Sequence, residues 1–257
     1  MVSSGLRRFS VLTACSALLL VVAGGLVTSN DAALSIPDWP LSWGKLIPPL
    51  EGGIRYAFAH RVVAAAVGTL VVILAFRLQA GESRVWVRRL GWGAVAAVVA
   101  QAGLGGAMVK LADPKALSIA HACLAQLCFG LVAAIAVAQT VPPAAARGSE
   151  QSHDRKGVVF RGSSPQILAA VVLFVQTILG AAVRHNAIGL IPHIAGAVAA
   201  TIMAMWAGLS VLMRHMGEAR LRRAAMGLLL LTMVQVFLAL RRTGAGWRRR
   251  TTRSPCR

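Results

Sequence analysis

Three histidines, His60, His121 and His193, each stand near the start of a long apolar run. An ionisable side chain at membrane depth is costly to keep there, so each is a candidate for function. One such histidine is more often an interfacial residue with its polar atoms satisfied. Three at equivalent depth point instead to ligation, and imidazole suits iron, zinc and copper. No Asp or Glu accompanies them inside the apolar runs, which disfavours zinc. Paired histidines from facing helices across an apolar slot best suit haem. The residues one helical turn on, Ala64, Ala125 and Ala197, share the histidines' faces, and Gly68 continues the first. Small residues beneath a ligand leave a flat slot for a macrocycle. Arg61 and Arg55 lie near the same surface, placed either to pair with propionates or simply to snorkel to the interface.

The elements that must hold these histidines are membrane helices. Of 257 residues, 57% are hydrophobic and only 14% charged, with a mean hydropathy of +0.68. A soluble domain of this length carries far more charge. About 20 apolar residues span a bilayer core. Runs of that length recur at 10–28, 57–76, 90–109, 116–138, 165–183, 190–213 and 224–240. They are continuous rather than alternating, which excludes a β-barrel. The expected fold is therefore all-α, a polytopic membrane protein with about seven transmembrane helices. The first run follows Arg7 and Arg8 as the apolar part of a signal peptide would. It is long, however, and no small-residue cleavage site leads into a soluble domain.

The formal charge of +19 suggests nucleic acid only in a soluble protein. Here the basic residues sit between spans, so no nucleic acid is expected and membrane lipid is the partner of the surface. With a cytoplasmic N-terminus, inner segments carry 14 Lys/Arg against six in outer ones. That bias predicts a multi-pass protein of the cell (plasma) membrane with its N-terminus inside. Cys15, Cys123 and Cys128 lie in spans and Cys256 in the tail, so no structural disulfide and no cysteine metal site is expected.

The longest outer loop, about 29–56, holds four prolines, three glycines and two tryptophans and reads as an ordered cap at the membrane surface. Residues 141–164 are polar and rich in Pro, Ser and Gly, and read as a cytoplasmic linker between two halves. His153 lies there and receives no role. The halves read as repeats of a helix pair. Gln101–Val109 and Gln176–Val183 each end a span, and each is followed by a short loop and a histidine-bearing helix. Gly24-Gly25 before His60 is a variant, and Gln235–Leu238 begins the pattern again without a histidine.

The stretch GGLVTSNDAALSIPDWPLSWGKLIPP followed by AHRVVAAAVG resembles the haem A synthase family, over roughly residues 5–240. Its most specific parts are Ser35 to Pro40, the His60-Arg61 pair and the Pro192-His193 helix start. The resemblance implies an eight-helix fold of two pseudo-symmetric four-helix bundles, each with a haem between two histidines. Residues 1–140 would form the bundle that takes the substrate, haem O. Residues 165–240 would form an incomplete bundle for a haem b cofactor, followed by an atypical basic tail at 241–257. The implied reaction oxidises the C8 methyl of haem O to a formyl group, giving haem A. A haem O synthase and terminal oxidase assembly are the implied partners.

Carried over by position, His60 and His121 resemble the substrate-site pair and His193 the first ligand of the cofactor site, with Arg61 beside them. Three departures stand out. Ile36 and Ser42 occupy the places of two flanking cysteines found in many members. Ala57 occupies the place of the family's usual Glu, so no catalytic residue is assigned. The eighth helix and its histidine are missing. An oxidoreductase impaired at Ala57 and at its C-terminus is the expected function. The alternative is a bis-histidine haem-binding membrane cytochrome that transfers electrons without modifying haem. A transporter is disfavoured, because no broken helix or buried acidic residue marks a path.

The tail after Leu240 carries seven arginines and no acid. Placed outside, it nearly erases the charge bias, and the sequence alone therefore predicts a truncation or frame change near Ala239, with the second haem absent, loosely held or high-spin. A basic tail that binds anionic lipid is the competing account.

Overall fold

A computed structural model describes the backbone of residues 3–140, 156–215 and 217–251, and the side chains of 3–140, 165–215 and 217–241. His153 and Cys256 fall outside the described residues, as do residues 141–155 of the linker and the side chains of the tail beyond Arg241. Among the described residues there are seven helices and no strand: α1 (Ser4–Ser29), α2 (Ile54–Gly81), α3 (Val85–Lys110), α4 (Lys115–Ala138), α5 (Lys156–Arg184), α6 (Leu190–Arg214) and α7 (Ala219–Thr251). All seven are long and apolar enough to cross a membrane. This is a polytopic α-helical membrane protein. Large apolar side chains such as Leu19, Val99, Ile191 and Leu231 point outward along the helices, a surface that only lipid covers at low cost.

The helix boundaries follow local chemistry. The Ser3 hydroxyl caps α1 by accepting from the Leu6 N–H at 3.1 Å. Inside α1, the Ser10 and Thr13 hydroxyls donate to the carbonyls of Leu6 and Phe9 at 2.9 Å, so buried hydroxyls in an apolar helix are satisfied within their own turn. Both side chains are fully buried.

The chain divides into two compact units, Met1–His153 and Asp154–Arg257. In the first, α1 packs on α2 and α4, and α3 packs on α2 and α4, closing a ring of four helices. Its dense core, Leu6, Val67, Val71, Leu74, Leu78, Val87, Val132 and Ile135, fills the half of the bundle away from the histidines. A polar clamp closes that same end. Glu82, 4% exposed, accepts from Arg84 through Nε at 2.9 Å and Nη2 at 2.8 Å, and from Gln139 Nε2 at 2.8 Å. The short α2–α3 turn is thereby tied to the C-terminus of α4. In the second unit, α6 packs between α5 and α7 through small buried residues, including Ala200, Ala204, Ala207 and Gly208.

The loop between α1 and α2 is a built structure. Asp38 accepts from the Trp43 and Gly44 N–H groups at 2.6 and 2.7 Å. The Gly44 N–H, then that of Trp43, holds its carboxyl below the usual carboxylate range, with the Arg61 charge adding to the effect. Gly44 sits at φ +67°, which glycine adopts without strain. Ser42 and Lys45 exchange backbone hydrogen bonds of 3.0 and 3.1 Å across this turn. Ala32 and Ile36 are completely buried beneath it.

Candidate functional site

His60 lies in the second turn of α2 and His121 in the second turn of α4, both in the first unit and both at the loop end of the bundle. Their imidazoles stand within electrostatic range of one another. Each is largely covered, and each has a buried Nδ1 with no hydrogen-bond partner among the described residues. A buried polar atom without a partner is unusual in a folded protein and needs a reason.

Each ring is seated against the preceding helix. A Cβ on Gly24 of α1 would come within 3.3 Å of His60 Cε1 and 3.7 Å of its Nδ1. One on Gly105 of α3 would come within 3.4 Å of His121 Cε1 and 4.0 Å of its Nδ1. The Nδ1–Cε1 edge therefore faces the helix, and Nε2 is the nitrogen turned away from this contact. On α3, the Gln101 amide donates to the His121 carbonyl at 2.9 Å. The second unit repeats the arrangement: a Cβ on Gly180 of α5 would stand 3.2 Å from His193 Cε1, and Gln176 Nε2 lies 3.1 Å from the His193 carbonyl and 3.0 Å from its Nδ1. His193 belongs to the second unit and is described there alone.

The loop roofs the first site from two sides. Arg61, the residue after His60, donates to Leu41 O at 2.7 Å, Ser42 Oγ at 3.4 Å and Ile36 O at 3.4 Å. The Trp39 indole occupies the space a Gly106 side chain would need, 2.9 Å from that Cβ position. Gly106 adjoins Gly105, on which His121 rests. Arg55 lies 4.8 Å from the Tyr56 ring and bonds its hydroxyl at 3.2 Å. Ala57, 7% exposed, is buried one turn before His60 and brings no ionisable group.

Among the described residues no group of three or more His, Cys, Asp or Glu could hold a metal ion. Two imidazoles alone leave a bare metal ion under-coordinated. They complete the shell of an iron that already carries four porphyrin nitrogens. Small residues beneath the rings, and the Nε2 atoms turned away from the helix contact, fit such a group.

A model of the cytochrome oxidase assembly protein family matches residues 54–192, which include His60 and His121 and end one residue before His193. This chain belongs to the haem A synthase family of cytochrome oxidase assembly proteins. It is 31% identical over 189 residues to a protein named Heme A synthase from Symbiobacterium thermophilum, a match covering 70% of this chain and 59% of that protein. Another Heme A synthase, from Alkalihalophilus pseudofirmus, is 28% identical over 189 residues, covering 70% of this chain and 60% of the relative. A protein named Protoheme IX farnesyltransferase from Haloarcula marismortui is 43% identical over 72 residues, 27% of this chain and 15% of that one. This chain thus spans about three fifths of the length of the haem A synthases it matches. No solved structure matches it at a significant level.

Sequence reasoning found the three histidines but missed what seats them. The signal was present: a glutamine and a glycine four residues apart, Gln101/Gly105 and Gln176/Gly180, put both on one helix face. Asp113, just before α4, was also missed. It lies within electrostatic range of His121, and its carboxylate accepts from the Ser118 hydroxyl.

Proposed function

We propose that this chain is a haem A synthase-type oxidoreductase that oxidises the C8 methyl of haem O to a formyl group. The observation that carries this reading is the pair His60 and His121 at the loop end of one four-helix ring, each seated by its Nδ1–Cε1 edge against a glycine of the preceding helix, with Nε2 turned away from that contact. Their neutral imidazoles would hold the iron of haem O from two faces. His193 would hold the iron of a haem b in the second unit. Iron and porphyrin, when bound, supply the redox chemistry. The chain's own part is to fix the imidazoles, exclude water beneath Trp39 and the Asp38 turn, and keep the methyl-bearing edge in one orientation. Arg61 is proposed as a propionate contact through whatever donor capacity its loop bonds leave. The relatives' names support an upstream enzyme that farnesylates protohaem and terminal oxidase assembly downstream as partners. The charge bias supports a cell-membrane location with the N-terminus and residues 82–84 in the cytoplasm.

Ala57 favours a second reading. A buried alanine at the position of the family's usual Glu can neither accept a proton nor stabilise charge, so haem binding without modification is the alternative. Extraction and chromatography of haems from cells co-expressing a haem O synthase separates the two. Haem A above the level of an empty vector supports the synthase; bound haem with no haem A supports the cytochrome. His60→Ala or His121→Ala should abolish low-spin haem absorption in the purified protein. An unchanged spectrum in both would reduce them to interfacial histidines.

A further inference from the structure

The same contact occurs three times. Gly24 beneath His60, Gly105 beneath His121 and Gly180 beneath His193 each stand 3.2 to 3.4 Å, measured from an ideal Cβ, from the histidine's Cε1. In every case the glycine belongs to the helix preceding the histidine's own, and the same Nδ1–Cε1 edge of the ring is touched. Other glycines on those helices do not share this: Gly25 of α1 and Gly103 of α3 have nothing within 4 Å of their Cβ positions. The contact is therefore specific to one register on each helix.

A second observation fixes that register. The Gln101 amide grips the His121 backbone carbonyl at 2.9 Å, and the Gln176 amide grips that of His193 at 3.1 Å. Each glutamine precedes its glycine by four residues, one turn away on the same face. The backbone of the histidine is thus held by one residue while its ring rests on the next. On α1 the equivalent place is Leu20, a packed apolar residue, so His60 has the glycine without the grip.

We infer that Gly24, Gly105 and Gly180 are positioning residues that set where each imidazole stands, and that Gln101 and Gln176 lock the helix offset that makes this possible. This rests on the proposal that the histidines ligate haem. A methyl group at any of the three would meet a ring tethered by its own backbone, and the ring would have to give by a few tenths of an ångström. An imidazole that is to hold an iron would tolerate little such movement, because its nitrogen must stay where the metal needs it. Alanine is also the better helix former, so its introduction should not weaken the helix itself. A loss of ligation in the variant would then report the ring and not the fold.

The test uses the full chain, purified and supplied with haem, with absorption and electron paramagnetic resonance spectra and haem titration as readouts. Gly24→Ala and Gly105→Ala should each weaken haem binding by about tenfold and turn low-spin signal into high-spin, as disturbing the support of a metal ligand does. Gly25→Ala and Gly103→Ala should match the unaltered protein. Gly180→Ala should weaken haem binding in the second unit by a similar factor, read by haem titration. Equal spectra for Gly105→Ala and Gly103→Ala would overturn the inference. A second arm guards against a variant that merely folds badly. In a His121→Gly background, added imidazole is untethered and can shift, so it should restore the low-spin signal equally with and without the Gly105→Ala substitution. Restoration that still depends on position 105 would show damage beyond the ring and overturn the assignment. A low-spin spectrum that survives His121→Gly without imidazole would remove the ligation reading itself, a distinct failure.

Discussion

The guanidinium of Arg61 donates a 2.7 Å hydrogen bond to the carbonyl oxygen of Leu41, twenty residues earlier in the chain. Together with its bonds to Ser42 Oγ and Ile36 O, this pins the α1–α2 loop to the helix turn that carries His60. A fork of donors spread over three acceptors cannot be reproduced by a single ammonium. Arg61→Lys should therefore loosen the loop, with backbone amide exchange at Trp43 and Gly44 rising by about tenfold, the loss expected for a charge-assisted bond. If exchange is unchanged while the haem potential moves, Arg61 acts on the ligand and not on the loop.

How much of this was legible in the sequence depends on the range of the interaction. The seven spans were readable because each needs only a run of apolar residues and nothing from its neighbours. The histidines were readable because a polar group in such a run is conspicuous. Arg61 was placed beside the site but its three loop acceptors were not foreseeable, since they depend on how Ile36, Leu41 and Ser42 turn. Ser42 is a further case. In the sequence it stood only as a loop residue in the place of a family cysteine, whereas it is 3% exposed and bonded to both Lys45 and Arg61. Glu82 went unremarked in the sequence because Gln139, its partner from the end of α4, lies 57 residues away.

Ala57 offers a direct test of catalysis. Positions 57 and 60 are one turn apart and face the same region. A carboxylate there could accept a proton beside the substrate, a role worth about 100-fold or more in rate where it operates. Ala57→Glu should raise haem A formation while leaving haem content unchanged. Equal haem A yields from the two forms, measured by chromatography of extracted haems, would exclude a limiting role for this position. Ala57 is buried, so a neutral control of similar size to Glu, Ala57→Gln, separates charge from bulk.

Glu82 predicts a pH dependence at the opposite end of the bundle. The Arg84 side-chain hydrogen bonds, aided by the Arg84 N–H and Gln139, lower its carboxyl from the ordinary 4.5 to about 2. A carboxyl depressed on folding contributes stability that is present above its unfolded value and lost as pH falls through the folded one. The contribution should thus be complete at neutral pH and decline between about 4.5 and about 2. Glu82→Ala leaves Arg84 and Gln139 without their acceptor and should cost about 1–3 kcal/mol. In detergent, thermal unfolding should show that the acid-side decline flattens in Glu82→Ala. Parallel profiles for the two proteins would place the acid sensitivity elsewhere.

The orientation of the chain can be decided at two positions that the structure makes suitable. Leu46 is 83% exposed in the α1–α2 loop, and Ser83 is exposed in the α2–α3 turn at the other end of α2. Because α2 separates them and is long enough to cross the membrane, they must lie on opposite sides. The Lys/Arg bias places Ser83, with Arg84, Arg88 and Arg89 beside it, in the cytoplasm. In a background with Cys15, Cys123, Cys128 and Cys256 replaced by serine, Leu46→Cys should react with an impermeant maleimide added to intact cells. Ser83→Cys should react only after the membrane is opened. Ser42 would be a poor choice, since its side chain is enclosed beside Arg61 and Lys45, and failure to label there would say nothing about topology. Labelling of Ser83→Cys from outside, with Leu46→Cys protected, would invert the orientation and put His60, His121 and their loop roof on the cytoplasmic side.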